Sequence, residues 1–244
     1  GLLGNVEELF DKFVIRDDVS WNTVILGYAQ HGSGEKALKY FAQMQYEGFC
    51  PDTVTFSAIL KVCGIMGDTK RGHQLHARIL RDECLAKEIM IANALMDMYA
   101  KCGLILKAHE MFDKLRVQDV ISWTSLMSGY AQYDFGDEVL NCFTQMRDKG
   151  ISPNSITFSC VLKAYSHVGD VCGGMIWHAY AIEHGFQIDS YVGNSLVDMY
   201  AKFESIPDAE RVFAMLPMRD IITWSALIAG YIHCGHFEEA MQRY

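Results

Sequence analysis

Three near copies of one phrase, SWNTVILGYAQ at 20–30, SWTSLMSGYAQ at 122–132 and TWSALIAGYIH at 223–233, each place a changing polar residue directly after a tryptophan: Asn22, Thr124 and Ser225. A packing residue has little reason to alternate between an amide and hydroxyls. A residue that reads a hydrogen-bonding edge does, because each group offers a different set of donors and acceptors. The chemistry in view is therefore recognition, not bond making. Metal chemistry has weaker footing: HCGH at 233–236 lies at a helix end and its turn with no partner cluster, so no zinc site is read there and no metal or other cofactor is expected. His76 and His178 recur at one place in the pattern and are read as packing or capping residues. The eight cysteines are scattered without a C-x-x-C and are read as reduced core thiols in a reducing compartment.

The elements that must position these side chains follow from the period. Trp21, Trp123 and Trp224 are 102 and 101 residues apart, and between them TFSAILKVCGIMGD (55–68) returns as TFSCVLKAYSHVGD (157–170), and IANALMDMYAKCG (91–103) as VGNSLVDMYAKFE (192–204). The long period thus holds three related units, at 18–52, 53–88 and 89–119 and again at 120–154, 155–189 and 190–220, with partial units at 1–17 and 221–244. Each reads as two helices. Ser20, Thr55, Ser122, Thr157 and Thr223 sit where a hydroxyl caps the first turn of a helix A. Ala37, Phe41 and Met44, and then Val139, Phe143 and Met146, form one-sided apolar stripes on a helix B. Gly48 before Pro51, and Gly150 before Pro153, mark where helix B stops. Gly27, Gly129 and Gly230 recur inside helix A at about 1 kcal/mol each relative to alanine, and close approach of neighbouring helices is the expected compensation. The tryptophans are read as core wedges between hairpins. One hairpin leaves apolar faces uncovered, so such units stack into an all-α superhelix.

Composition bounds the function. Half of the 244 residues are hydrophobic, yet no apolar run approaches the roughly 20 residues of a membrane span, so no membrane partner is expected. A formal charge of −9 counts against generic polyanion binding, which needs lysine and arginine against phosphates. The helix A segments are the less acidic part: Lys61, Lys101, Lys163 and Lys202 stand there against Asp97 and Asp198. Lys101 and Lys202 are the candidate phosphate contacts, while the two aspartates are read as supporting the fold. The chain opens at Gly1 with no apolar or arginine-rich leader, so a targeting segment has been removed or lies outside this stretch.

The unequal unit lengths in fixed order, with MYAKCG at 98–103, LHAR at 75–78 and SWN opening the unit at 18–52, closely resemble the PLS subclass of plant pentatricopeptide repeat (PPR) proteins. The units then stand as partial S 1–17, P 18–52, L 53–88, S 89–119, P 120–154, L 155–189, S 190–220 and partial P 221–244. The resemblance implies a right-handed α-solenoid that binds single-stranded organellar RNA, one nucleotide per repeat, in a chloroplast or mitochondrial RNA-processing factor acting in C-to-U editing. It implies that the fifth residue of a repeat and its last residue read one base together. Asn22 with Asp52, Asn93 with Asp119 and Asn194 with Asp220 then match uracil, and Thr124 with Asn154 matches adenine. Weaker readers are Asp17, Ser57 with Glu88, Ser159 with Asp189, and Ser225. The implied core site is 5'-U-N-U-A-N-U-3'. A small editing-factor protein is implied at the L repeats, and no small-molecule substrate. Zinc deaminases need H-x-E paired with P-C-x-x-C, and that pair does not occur, so no enzyme activity is expected of this chain. The rival reading is a protein-docking solenoid like a tetratricopeptide array, whose period is a constant 34 residues.

Overall fold

The computed structural model describes Phe10 and residues 17–243, and every regular element among them is helical. The partial unit at 1–17 lies outside the described residues except for Phe10 and Asp17. The chain divides into two compact units between Gln118 and Asp119.

The first unit holds three hairpins: α1 (Asp18–Gln30) with α2 (Gly34–Tyr46), α3 (Thr53–Met66) with α4 (Thr69–Ile79), and α5 (Ile89–Lys101) with α6 (Ile105–Asp113). The second holds α7 (Val120–Gln132) with α8 (Gly136–Asp148), α9 (Ser155–Val168) with α10 (Val171–Glu183), α11 (Ser190–Lys202) with α12 (Ile206–Met215), and α13 (Ile221–His233) with α14 (Phe237–Arg243). Within each unit the first helices of successive hairpins pack on one another, α1 on α3 on α5 and α7 on α9 on α11 on α13. This is the one-dimensional stacking of a solenoid, in which each repeat covers the apolar face of its neighbour.

The helix B stripes are buried: Ala37, Val139, Met44 and Met146 are 0% exposed. Helix B ends as its sequence requires. Gly48 takes φ +88°, and the N–H groups of Phe49 and Gly48 close on the carbonyls of Met44 and Gln45 at 3.0 and 3.1 Å; Gly150 takes φ +71° with the equivalent bonds. These paired bonds satisfy carbonyls the helix leaves open.

Two expectations need correction. A Cβ built on Gly230 meets the Ala201 Cβ at 2.6 Å, as close approach of α13 to α11 demands, but one built on Gly27 meets no described atom within 4 Å. The close approach in the first unit falls instead at Gly64 of α3, where a built Cβ would lie 3.2 Å from the Met98 Cα of α5. The cysteines are not uniformly core thiols either. Cys63, Cys142 and Cys160 are buried, whereas Cys50, Cys84 and Cys172 are exposed, lying in turns or first helical turns that face away from neighbours.

The two histidines have a shared role. His76 Nδ1 lies 2.6 Å from the Tyr99 hydroxyl and His178 Nδ1 2.8 Å from that of Tyr200, so each ties helix B of one repeat to helix A of the next. Burial pushes the Tyr99 hydroxyl up to about 12 and lowers both imidazoles, helped at His76 by Lys107; at His178 burial outweighs the opposing Asp208. Folding therefore disfavours the protonated form of both rings. Between the lowered values and the ordinary value near 6.5 the unfolded chain binds protons that the folded chain refuses, so this stability is present above about 6.5 and is lost as pH falls through the lowered values. The thermal midpoint is expected to drop from pH 7.5 to pH 5, and to drop less in a His76→Gln, His178→Gln variant. Equal drops in both proteins would remove the histidines from the account.

Candidate nucleic-acid interface

Helices α1, α3, α7, α9 and α13 open at Asp17, Asp52, Asp119, Asn154 and Asp220, whose side-chain oxygens accept the N–H three residues on at 2.8 to 2.9 Å. The hydroxyls expected as caps are thus one step removed. Thr55, Thr157 and Thr223 sit at the third helical position and return a bond to the backbone N–H of the cap residue at 3.3, 3.2 and 3.2 Å. The physical reason is reach: a carboxylate or amide outside the helix spans to the third N–H, and a hydroxyl there closes the box in place of the more usual Glu or Gln. The residue that ends one repeat is therefore the cap of the next helix A.

Capping also builds two of the pairs. In the first unit Asn22 Nδ2 donates to Asp52 Oδ2 at 2.9 Å, and the Thr55 hydroxyl bonds both Asn22 Oδ1 and, at 2.8 Å, Asp52 Oδ1. In the second unit Asn194 Nδ2 donates to Asp220 at 3.3 Å, and the Thr223 hydroxyl lies 2.6 Å from Asn194 Oδ1 and 2.9 Å from Asp220 Oδ1. At Asp52 burial works against ionisation, but the bonds from Thr55 and Asn22 outweigh it and lower the pKa; at Asp220 the Thr223 bonds lead in the same direction. Asp17, bonded by Ser20, is lowered too. Each carboxylate is thus a fixed acceptor.

The other positions differ. Asn93 and Asp119 fall in separate units, and Asn93 Oδ1 has no partner among the described residues. The Thr124 hydroxyl turns back to the carbonyls of Val120 and Ile121 at 2.8 and 3.0 Å and is 5% exposed, while Asn154 caps through Oδ1, which leaves its NH2 group outside the capping box. Ser57 and Ser225 bond the carbonyls of Thr53 and Ile221 in their own helices. Ser159 is buried against the Ser195 hydroxyl at 2.7 Å, while Asp189 caps α11 through Tyr191 and Val192. Glu88 makes no side-chain capping bond. Lys101 and Lys202 each bond the carboxylate four residues earlier, Asp97 at 2.7 Å and Asp198 at 2.8 Å, so a phosphate there competes with an existing ion pair.

One feature went unread in the sequence. The second residue of every helix A is a large apolar side chain left exposed: Val19, Val54, Met90, Ile121, Ile156, Tyr191 and Ile222. The signal was an apolar residue at the same step beside each polar cap. Each such side chain lies two residues after the residue at which its helix opens, so exposed apolar surface recurs at the helix starts. Among the described residues no group of three His, Cys, Asp or Glu is placed to hold a metal ion, and no helix is long and apolar enough to cross a membrane.

Repeated helical hairpins, stacked within each unit and with a polar residue capping several of the first helices, define the class: an α-solenoid. The chain belongs to the PPR repeat family. The PPR repeat family model matches residues 16–64 and 118–167, and the PPR repeat model matches 91–120 and 222–243. From Arabidopsis thaliana, pentatricopeptide repeat-containing protein At2g33680 is 35% identical over 96% of this chain, At3g09040, mitochondrial, is 34% identical over 96%, and At4g18520, chloroplastic, is 32% identical over 99%. The chain spans 32%, 23% and 39% of those relatives. Among solved structures, the pentatricopeptide repeat protein PPR10 from maize shares the fold with a TM-score of 0.75 at 22% identity, over 99% of this chain and 35% of that one. PPR10 in complex with an 18-nt psaJ RNA element matches equally well, over 100% of this chain and 37% of that one.

Proposed function

We propose that this chain binds single-stranded RNA in a sequence-specific way, one base per repeat, as the segment of an organellar RNA-processing factor that selects a C-to-U editing site. The supporting observation is the bond that joins Asn22 to Asp52 and Asn194 to Asp220, because it brings the fifth residue of a repeat and its last residue to one point beside an exposed apolar side chain. A base laid between successive apolar side chains presents its hydrogen-bonding edge to that point. The RNA held by the structurally similar PPR10, and the mitochondrial and chloroplastic names of relatives, support the substrate and the compartment. The site read is 5'-U-N-U-A-N-U-3', with Thr124 and Asn154 reading adenine, and the deaminating domain belongs to a partner or to sequence outside this chain. Equilibrium binding of that RNA, against a version with A changed to G, tests the reading. Wild type is expected to prefer A, and Thr124→Asn with Asn154→Asp is expected to prefer U at that position. Each mismatch should weaken binding by about 1 to 3 kcal/mol. Binding no better than to scrambled RNA would remove the reading.

A second reading, docking of a protein segment at the L repeats, has its own observation. A groove of about 530 Å³ between α2 and α4 is lined by Phe41, Gln45, Leu75 and Arg78, and one of about 300 Å³ between α8 and α10 by Phe143, Arg147, Trp177 and Tyr180. These residues occupy the same places one long period apart. The helix B side would then hold a protein while the helix A starts hold RNA.

A further inference from the structure

We infer that Thr55 and Thr223, which lie in the helix after the reading residue, set the choice between uracil and cytosine in the repeats of Asn22 and Asn194. This rests on the base reading proposed above. The two threonines are each 1% exposed, and each touches both members of the preceding pair.

The argument is one of amide polarity. An asparagine amide is nearly symmetric in shape, so on its own it turns over to suit either pyrimidine. Uracil offers, from position 4 to position 3, an acceptor then a donor; cytosine offers a donor then an acceptor. A freely turning amide satisfies both. Here it is held from two sides. Asp52 and Asp220 are fixed carboxylates without a proton to give, so the atom facing them is Nδ2. The threonine hydroxyl has its own proton between two oxygens, the Asn Oδ1 and the Asp Oδ1, neither of which donates. Each amide therefore keeps one N–H and one oxygen lone pair for a base, in a fixed order. Turning it over sets Oδ1 against a carboxylate and breaks the bond from threonine. The same hydroxyl also closes the cap on the next helix, so the orientation is tied to backbone that hardly moves.

The threonine bond is one neutral hydrogen bond of about 0.5 to 1.5 kcal/mol, which converts to a preference of roughly 2- to 13-fold. The test uses the 244-residue chain with RNAs that carry U or C at the base opposite the repeat at 18–52 or at 190–220. Thr55→Val and Thr223→Val keep the branched shape in a buried place and remove the hydroxyl; Thr→Ser at each position restores it. Circular dichroism melts confirm that each variant is folded at the binding temperature. The expected result is that the U-over-C ratio falls roughly 2- to 13-fold at the altered repeat only, and that serine recovers it. If wild type prefers U and the valine variants keep that ratio, or lose affinity for both bases equally, the threonines are structural and the inference falls while base reading stands. If wild type itself makes no distinction at either base, the proposed reading falls with it.

Discussion

Replacing Asp52 and Asp220 with asparagine is expected to leave α3 and α13 capped while turning two repeats from uracil toward cytosine. Asparagine caps a helix about as well as aspartate, so the bonds to the Thr55 and Thr223 N–H groups survive through Oδ1. The atom that then faces Asn22 or Asn194 is an NH2 group where a carboxylate oxygen stood. Two amide nitrogens have no acceptor between them, so the reading amide turns its oxygen to the new donor and shows the base a reversed pattern. A pattern reversal at one base is worth about 1 to 3 kcal/mol. Alanine at the same positions behaves differently: it removes the cap, at about 1 kcal/mol of stability, and leaves the amide held only by the threonine hydroxyl, so the preference weakens without reversing. Competition binding with RNAs that differ only in U or C at those bases separates the outcomes. An unchanged uracil preference in the asparagine variants would sink this account of the pair.

The hairpins themselves were legible in the sequence because their signals are local. Apolar spacing at Ala37, Phe41 and Met44, followed by Gly48, reports a helix and its end within a dozen residues, and the second copy at Val139 to Gly150 repeats it. The caps were half legible. A hydroxyl and a carboxylate three residues apart both satisfy a first-turn N–H on paper, and only the backbone geometry shows that Asp52 does so while Thr55 replies. Contacts between repeats were the least legible. Nothing local joins His76 to Tyr99 or Ser159 to Ser195, although the recurrence of His and Tyr one long period later, at His178 and Tyr200, was the available signal. The Ser159 contact has a functional consequence that spacing alone does not carry, since a hydroxyl buried against the next repeat is withdrawn from the surface a base would meet.

Trp21→Ala is expected to cost about 3 to 5 kcal/mol of stability, the largest effect of any single truncation in the first unit. Trp21 is 0% exposed, with its ring edge-on to Phe10 at 4.7 Å and tilted against Phe49 and Tyr40 at 6.1 and 6.4 Å. Alanine leaves a cavity that these large rings, held by their own neighbours, do not collapse to fill. Set against the roughly 5 to 15 kcal/mol that holds a typical domain folded, the loss is a large fraction of the whole. Because each repeat of a solenoid leans on its neighbours, the damage should begin at α1 and α2 and spread along the first unit. Denaturant unfolding of wild type, Trp21→Phe and Trp21→Ala gives the size of the effect, with phenylalanine expected between the other two. The same variants decide whether the ring instead stacks on a base. A stacking platform would weaken RNA binding and leave unfolding unchanged, whereas a core wedge lowers stability and, at a temperature where Trp21→Ala is still folded, leaves the uracil preference of Asn22 in place.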